Sequence, residues 1–220
     1  MNNFHTFFDQ FPLTFVQKGE IILHQGDVPK HAYAIKSGVI KISNITGNGE
    51  EKALSFKLSG DIIPIYWIFG QADTTLYFHQ AHTDCELYVI DRDSMLAYIE
   101  QNQQFSKYIF DKLITAELNR ELHVEALEQS RANLKLLYTF RHLALMHGNE
   151  IKKGLVRIGI PLTQQEIANF TGLTRETTVL ELNKLRRQLL IYREHKHYTV
   201  DTLRINDFID DEYNPLRMAV

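Results

Sequence analysis

The feature that most constrains the fold is a change in the spacing of apolar residues near Ser94. Before that point, short apolar-alternating runs lie between glycine turns; Ile40 and Ile42, for example, alternate with Lys41 and Ser43. An alternation of two is typical of strands with one face in the core and the other in water. Many short strands at about ten-residue spacing predict an antiparallel sandwich or jelly roll rather than a parallel α/β sheet.

The segment from Ser94 to Gln129 has helical periodicity instead. It contains neither Gly nor Pro, and its apolar residues recur at intervals of three and four. We expect one long helix, about residues 94–129, which is too long to bury its whole length on one small barrel. Part of its apolar stripe would then pack against a second copy of the chain, the alternative being a helix that lies along its own barrel. The stripe residues expected at a dimer interface are Ile109, Leu113, Ala116, Leu122 and Leu127.

Charge divides the chain unequally. Residues 1–129 carry 10 Lys and Arg against 17 Asp and Glu, whereas residues 130–220 carry 14 against 10. An acidic first part and a basic second part suggest two domains with different partners, the alternative being chance scatter of surface charge. We therefore expect one domain over residues 1–129, comprising the barrel and the long helix, and a second over residues 130–220.

The most specific local motif lies within residues 161–191. Thr163 and Glu166, three residues apart, form a capping box that begins a short helix. Gly172 supplies a tight turn after it, and Thr174 can cap a second helix. Two short helices joined by such a turn predict a helix-turn-helix; an ordinary helical hairpin is the alternative.

The residues that follow this motif predict a wing. Residues 191–200 are typical of two short strands around a basic tip, His195-Lys196. A winged helix-turn-helix places its second helix in the DNA major groove and its wing on phosphates. We expect Arg175, Glu176 and Thr178 to face base edges. The full set expected to contact DNA is Thr163, Gln164, Gln165, Thr174, Arg175, Glu176, Thr178, Lys184, Arg187, His195 and Lys196, with Arg186 a further candidate for phosphate.

Taken in order and with their spacing, these segments resemble the cyclic-AMP receptor protein / FNR (Crp/Fnr) superfamily of bacterial transcription regulators. The resemblance covers essentially the whole chain and is carried by residues 18–22, 25–27, 33–41, 60–61, 85–90 and 163–185. It implies an α+β fold with an N-terminal antiparallel jelly roll of the cyclic-nucleotide-binding type, a long dimerisation helix and a C-terminal winged helix-turn-helix. It also implies a homodimer on a palindromic site in double-stranded DNA, with RNA polymerase as a partner if the protein is an activator.

The expected effector pocket departs from the nucleotide-binding members. Ile65 stands where those members have a Glu, Thr75 stands where they have an Arg, and Pro64 lacks an amide donor. A buried phosphate needs a cation or a cluster of donors, so we do not expect cyclic AMP to bind. The pocket would be an apolar box, either packed by its own side chains or holding an apolar small molecule. Its lining is expected to include Ile65, Tyr66, Trp67, Thr75 and Leu76.

The recognition helix departs from the resemblance as well. Many members carry an Arg four residues after the Glu that corresponds to Glu176, and this chain has Leu180 there. The operator should therefore differ from the familiar half-site; the alternative is weaker specificity.

Other chemistry finds little support in the sequence. No catalytic motif occurs, so we expect no enzyme, and we expect neither a cofactor nor a metal. Cys85 is the single cysteine, which excludes an intramolecular disulfide framework and fits a reducing, cytoplasmic setting. No apolar run is long enough for a membrane span. A constitutive DNA binder with a vestigial barrel, and a haem-dependent gas sensor, remain as alternatives to an effector-gated regulator; His79 and His82 would lie on opposite faces of a strand, which weakens a joint haem or metal site.

Overall fold

The computed structural model describes residues 7–213, with side chains through residue 209. The chain divides after Ala116 into two compact units. The sequence places the boundary later, after residue 129, where the long helix ends.

The first unit is a barrel of two four-stranded antiparallel sheets, with strand orders β1-β8-β3-β6 and β2-β7-β4-β5. Successive strands alternate between the sheets except at the β4–β5 hairpin, which is the connectivity expected of a jelly roll. The predicted antiparallel barrel is confirmed. Its strands are β1 Leu13–Val16, β2 Ile21–Leu23, β3 Ala32–Ser37, β4 Ile40–Ile45, β5 Glu51–Lys57, β6 Ile62–Ile63, β7 Phe78–Ala81 and β8 Cys85–Ile90, and a short helix α1 spans Ile65–Ile68.

Two apolar clusters fill the first unit. An aliphatic cluster lies between the sheets, and an aromatic one packs the barrel against the helices that follow it. The aliphatic cluster comprises Ile35, Ile40, Ile42, Ile63, Ala81, Cys85 and Leu87. The aromatic one is built around Phe7, Phe8, Trp67, Tyr88, Met95, Phe105 and Ile109.

Strand β4 corrects the expectation that each strand turns one face to water. Lys41 and Ser43 are buried along with the isoleucines that alternate with them. β4 is an inner strand, paired with β5 on one side and β7 on the other. The Lys41 ammonium lies 2.5 Å from a Glu51 carboxylate oxygen, and this pairing compensates for the burial of its charge.

The connection between β3 and β4 requires glycine. Gly38 has a φ of +93°, and a Cβ at this position would lie 2.6 Å from the Cys85 sulfur and closer still to the Asp84 carbonyl oxygen. Only a residue without a side chain lets this turn pack so closely on the start of β8.

The expected single helix over residues 94–129 is wrong in one respect, since the structure has two helices there. They are α2, Arg92–Gln101, and α3, Gln103–Leu127. Asn102 between them has extended backbone angles, and its side-chain oxygen accepts a hydrogen bond from the Phe105 amide at 2.9 Å. An asparagine side chain that bonds to nearby backbone competes with helix continuation. Apolar periodicity alone does not register such a break.

The second unit contains the last turns of α3 and a winged helical domain. A four-stranded antiparallel sheet of order β11-β12-β10-β9 packs with four helices. Their bounds are α4 Ala132–His147, β9 Gly148–Lys152, β10 Leu155–Ile158, α5 Gln164–Thr171, α6 Arg175–Arg187, β11 Ile191–Glu194, β12 His197–Asp201 and α7 Thr202–Tyr213. The predicted helical pair and wing are confirmed. Within the described residues, no helix is both long and apolar enough to cross a membrane.

Candidate nucleic-acid interface

The helix-turn-helix is built by local hydrogen bonds that the sequence predicted. The Thr163 hydroxyl accepts from the Glu166 amide at 3.2 Å, and the Glu166 carboxylate accepts from the Thr163 amide at 2.6 Å, which completes the capping box. Gly172 ends α5 in the left-handed conformation, with φ +68°. The Thr174 hydroxyl then accepts from the Thr177 amide at 3.1 Å and begins α6. These contacts fix the angle at which α6 leaves the turn.

The buried face of α6 corrects one predicted base contact. Thr178 is fully buried together with Leu182 and Leu185, whereas Val179 is half-buried. The Thr178 hydroxyl donates to the Thr174 carbonyl at 2.9 Å, so its polar atom is satisfied inside the helix. Because a threonine can satisfy its hydroxyl within its own helix, burial costs it little. Thr178 is therefore not available to a base edge.

The outer face of α6 carries a line of four exposed side chains. Glu176, Leu180, Asn183 and Arg187 follow one another at intervals of four, three and four residues, which places them along one side of the helix. Leu180 is 62% exposed although it is apolar. Arg175 is exposed beside this line in the first turn. The face thus presents, from its beginning to its end, an acceptor, a methyl-rich side chain, an amide and a guanidinium group.

The other predicted contacts lie at three places in the same unit. Gln164 and Gln165 lie in the first turn of α5, and the Gln165 amide donates to the Asn169 side chain at 2.8 Å. His195 and Lys196 are both exposed and form the two-residue turn between β11 and β12. Lys184 forms an ion pair with Glu181 at 2.6 Å, which neutralises much of the charge expected to meet phosphate.

Sequence reasoning missed a groove at the far end of α6. The groove has a volume of about 580 Å³. Tyr192 and Arg193 of β11 line this groove, and neither was among the predicted contacts. The signal was the basic character of residues 191–197, which was assigned to the wing tip alone. The groove, called here the arginine groove, is lined by Asn183, Arg186, Arg187, Ile191, Tyr192 and Arg193.

Comparison with known proteins matches both units. Residues 13–102 match the cyclic nucleotide-binding domain family, and residues 135–205 match the Crp-like helix-turn-helix domain family. The chain belongs to the Crp/Fnr superfamily. It is a transcription regulator of the Crp/Fnr type with a helix-turn-helix DNA-binding domain.

Individual Crp/Fnr proteins align over most of the chain. Electron transport regulator A of Shewanella oneidensis is 28% identical over 189 residues, which cover 84% of this chain and 73% of the relative. Nitrogen fixation regulation protein FixK of Rhizobium meliloti is 24% identical over 187 residues, covering 84% and 80%. The structure of FixK2 from Bradyrhizobium japonicum superposes with a TM-score of 0.73 at 16% identity, covering 90% of this chain and 96% of that one. At that identity the structural match shows the shared fold.

A small cavity beside the barrel has a more polar wall than the effector pocket expected from the sequence. A cavity of about 40 Å³ lies between the barrel and α3. Lys112 of α3, a cation that the sequence did not indicate there, forms an ion pair with Asp61 at 2.9 Å on its wall. The lysine was overlooked because residues 109–116 were assigned to a dimer interface. The cavity is lined by Lys57, Gly60, Asp61, Ile62, Ile65, Ile109, Lys112, Leu113 and Ala116.

The five residues predicted to form that pocket do not come together around it. Of the five, only Ile65 lines the cavity. Trp67 is buried in the aromatic cluster. The Thr75 hydroxyl donates to the backbone carbonyls of His24 and Asp27. The Tyr66 hydroxyl accepts from the Leu76 amide at 2.9 Å, and Leu76 itself is largely exposed.

Helix α3 presents a different apolar face from the one expected. Ile109 is buried in the aromatic cluster of its own barrel, so its side chain is not available to a partner helix. Leu113 is partly exposed, whereas Ala116, Leu122 and Leu127 are half-buried. The apolar side chains that α3 leaves exposed are Phe110, Leu113, Ile114, Leu118 and Val124.

The second unit buries two histidines beside the first helix of the helix-turn-helix. The His123 ring stacks on Phe170 of α5 with 3.9 Å between centroids, and its Nε2 lies 2.9 Å from the Phe170 carbonyl oxygen. The His142 Nε2 donates to the Asn119 side-chain oxygen at 2.5 Å, while its buried Nδ1 has no hydrogen-bond partner among residues 7–209. Burial, with smaller contributions from His123 and His147, lowers the pKa of His142 to about 3.

Two histidines of the barrel, His79 and His82, are buried as well. Burial lowers the pKa of His79 to about 4. The His79 Nδ1 is within hydrogen-bond distance of the Tyr77 carbonyl oxygen, at 3.0 Å. Within residues 7–209, no group of three or more His, Cys, Asp or Glu side chains is arranged to hold a metal ion.

The depressed pKa of His142 predicts a loss of stability in acid. In the folded protein this ring stays neutral down to about pH 3, whereas in the unfolded chain it takes up a proton near its ordinary pKa of about 6.5. The stabilisation is complete above about pH 6.5 and is lost progressively as the pH falls toward 3. Between pH 7.5 and 5 we expect a loss of about 2 kcal/mol from this group.

Denaturant unfolding at the two pH values measures this loss. His142→Gln keeps a donor for Asn119 and removes the titration, so its stability should change less between pH 7.5 and 5 than that of the wild type. His79→Gln serves as the control for the other unit. An identical pH dependence in wild type and His142→Gln would show that His142 is not the responsible group.

Proposed function

We propose that this protein is a cytoplasmic homodimeric regulator that binds a palindromic DNA operator through α6 without cyclic AMP. The observation that carries the proposal is the exposed line on α6, because its side chains offer base-reading chemistry on a helix whose caps fix its direction. RNA polymerase would be a further partner if the protein activates transcription.

The beginning of α6 has the residue types that read bases in the major groove. Arg175 can bond two acceptors of guanine, and Glu176 can accept from the amino group of cytosine. Leu180 has no hydrogen-bonding group, and its exposed apolar surface suits the methyl group of thymine. We infer that each half-site contains a guanine–cytosine step read by the first turn and a thymine opposite Leu180.

Selection of bound duplexes from random DNA tests this assignment. Arg175→Ala should lower affinity for the selected site by about 1–3 kcal/mol and relax the preference at one base pair in each half-site. Leu180→Ala should weaken the thymine preference alone. The selected half-sites should be about 34 Å apart, one turn of DNA, because the two α6 helices would be related by a two-fold axis.

The wing provides the matched control for these variants. Lys196→Ala should weaken all duplexes alike and reduce the salt dependence by about one unit of slope per protomer. If Arg175→Ala also weakens selected and scrambled duplexes equally, α6 does not read bases and the assignment is withdrawn.

The exposed face of α3 supports the homodimer. Phe110, Ile114 and Leu118 lie four residues apart on one side of the helix, and Leu113 flanks them. Four large apolar side chains in water on a single helix are typical of a helix–helix interface. The expected interface therefore keeps Leu113 but moves from Ile109 to Phe110 and Ile114.

Sedimentation of two glutamate variants tests the interface. Ile114→Glu should give a monomer, because a carboxylate would be buried without a partner in the dimer, whereas in the monomer the position is more than half exposed. Thr115→Glu, on a different side of the same turn, should remain dimeric. A dimeric Ile114→Glu protein with unchanged DNA affinity would contradict this interface.

The small cavity supports regulation without cyclic AMP. A volume of about 40 Å³ is far below the roughly 300–1,000 Å³ of pockets that hold drug-sized ligands. Lys112, one of the two lysines that line the cavity, is already paired with Asp61. The small volume of the cavity also favours a second candidate function. In it the protein is a constitutive DNA binder whose barrel holds no effector, rather than a regulator whose barrel binds an apolar small molecule.

Titration calorimetry with cyclic AMP distinguishes these readings of the barrel from a nucleotide sensor. We expect no binding in the micromolar range, since the nucleotide would have to displace the Lys112–Asp61 pair and neighbouring side chains. A dissociation constant near 10 µM, about −7 kcal/mol, would overturn the proposal. Lys57→Ala/Lys112→Ala is the control, because it removes both lysines that line the cavity.

A further inference from the structure

The arginine groove has more positive charge than its surroundings neutralise. Arg186 and Arg187 come from the last turn of α6, and Arg193 comes from β11. Among the described residues, none of the three forms an ion pair, and no carboxylate lines the groove. Lys184, on the same turn of α6, is paired with Glu181. The groove therefore has three guanidinium groups that no carboxylate of the described side chains neutralises.

The Arg193 guanidinium is held by an aromatic ring and by a backbone hydrogen bond. Its guanidinium carbon lies 5.7 Å from the centre of the buried Tyr198 ring, and its Nε donates to the His195 carbonyl at 2.8 Å. The terminal nitrogens make no hydrogen bond to any described residue. A guanidinium that is fixed through its Nε and ring face presents its remaining donors as a fork, the geometry that suits phosphate oxygens.

The groove continues the face that we assign to base reading. Asn183 and Arg187 lie on the line that begins at Glu176 and Leu180. Arg187 is eleven residues from Glu176, which is about 16 Å along the helix. The major groove is only about 8.5 Å deep, so a helix that enters by its first turn holds its last turn at the level of the phosphates.

We propose that the arginine groove binds the phosphate backbone of duplex DNA beyond the bases read by α6. These contacts would lengthen the stretch of DNA that contributes to affinity without adding base pairs whose sequence is recognised. The inference rests on the proposed function, because α6 must lie on DNA for its last turn to meet phosphate. The ligand is a pair of neighbouring phosphodiesters on one strand, held by Arg187 and Arg193 with Arg186 beside them.

Binding to duplexes of two lengths tests the proposal. Arg186→Gln/Arg187→Gln should lower affinity about tenfold or more for a long duplex that extends past both half-sites, and should reduce the slope of log affinity on log salt by about two per protomer. On a short duplex that ends at the half-sites, wild type and variant should bind alike. The base preferences of the variant should match those of the wild type.

The control removes the same charge elsewhere in the unit. Lys152→Gln/Lys153→Gln takes two exposed lysines from the β9–β10 hairpin, and its affinity for both duplexes should stay close to that of the wild type. Circular dichroism of each variant establishes that it is folded. An arginine variant that matches the wild type on the long duplex, or that loses equally on both lengths, overturns the proposal.

Further outcomes distinguish DNA from a small polyphosphate as the ligand of the groove. They also distinguish failure of this inference from failure of the proposed function. Inorganic tripolyphosphate that stabilises the wild type but not the arginine variant, with no effect of duplex length, would assign the groove to a small polyphosphate and overturn the DNA assignment. Loss of base preference in Arg175→Ala with no effect in the arginine variant would leave the proposed function standing and remove only this inference. A length effect without the Arg175 effect would remove only the base contact assigned to Arg175; α6 would still lie on DNA, and this inference would stand.

Discussion

The geometry of the DNA-binding unit depends on the stack of His123 against Phe170. His123 lies near the end of α3, and Phe170 lies two residues before Gly172, whose left-handed turn sets the direction of α6. Because packed side chains transmit displacement rather than absorb it, a shift of the last turns of α3 would carry α5 and α6 with it. His142 closes this contact from α4 and stays neutral, since a proton on its buried ring would have no partner at Nδ1. The same contact thus stabilises the unit and sets the position of the recognition face.

Most of the helix-turn-helix could be predicted from the sequence because its determinants are local. The capping box, the glycine turn and the second cap all act within about four residues of one another, so spacing alone encodes them. Thr178 could not be placed this way. Whether a threonine faces the core depends on what α5 presents to it, and the choice between Thr178 and Val179 is decided by tertiary packing. The helix break at Asn102 could not be predicted either. An asparagine is compatible with a continuous helix, and only its side-chain hydrogen bond to the next helix shows that the helix is interrupted.

The barrel was predictable as an architecture but not as a pocket. Alternation and glycine spacing indicate strands, whereas the inside of the barrel depends on which helix face closes it. Ile109 and Lys112 illustrate this point. In the sequence both belong to a stretch that reads as a dimer helix, yet the structure uses one to fill the aromatic cluster and the other to pair with Asp61. The exposed face of α3 consists of the side chains that do not pack against the barrel. For this reason Phe110 and Ile114 replace Ile109 in the proposed interface.

Helix α6 separates two kinds of recognition along its length. Its first turns carry Arg175, Glu176 and Leu180, whose side chains can distinguish bases. Its last turn carries arginines that attract any duplex and distinguish none. Arg175 in the first turn combines both roles. Farther along the helix, the apolar Leu180 occupies a base-facing position, and Arg186, Arg187 and Arg193 line the arginine groove. Affinity lost at one base position can therefore be recovered on the backbone without changing which sequence is preferred, so the two sets of residues can vary independently.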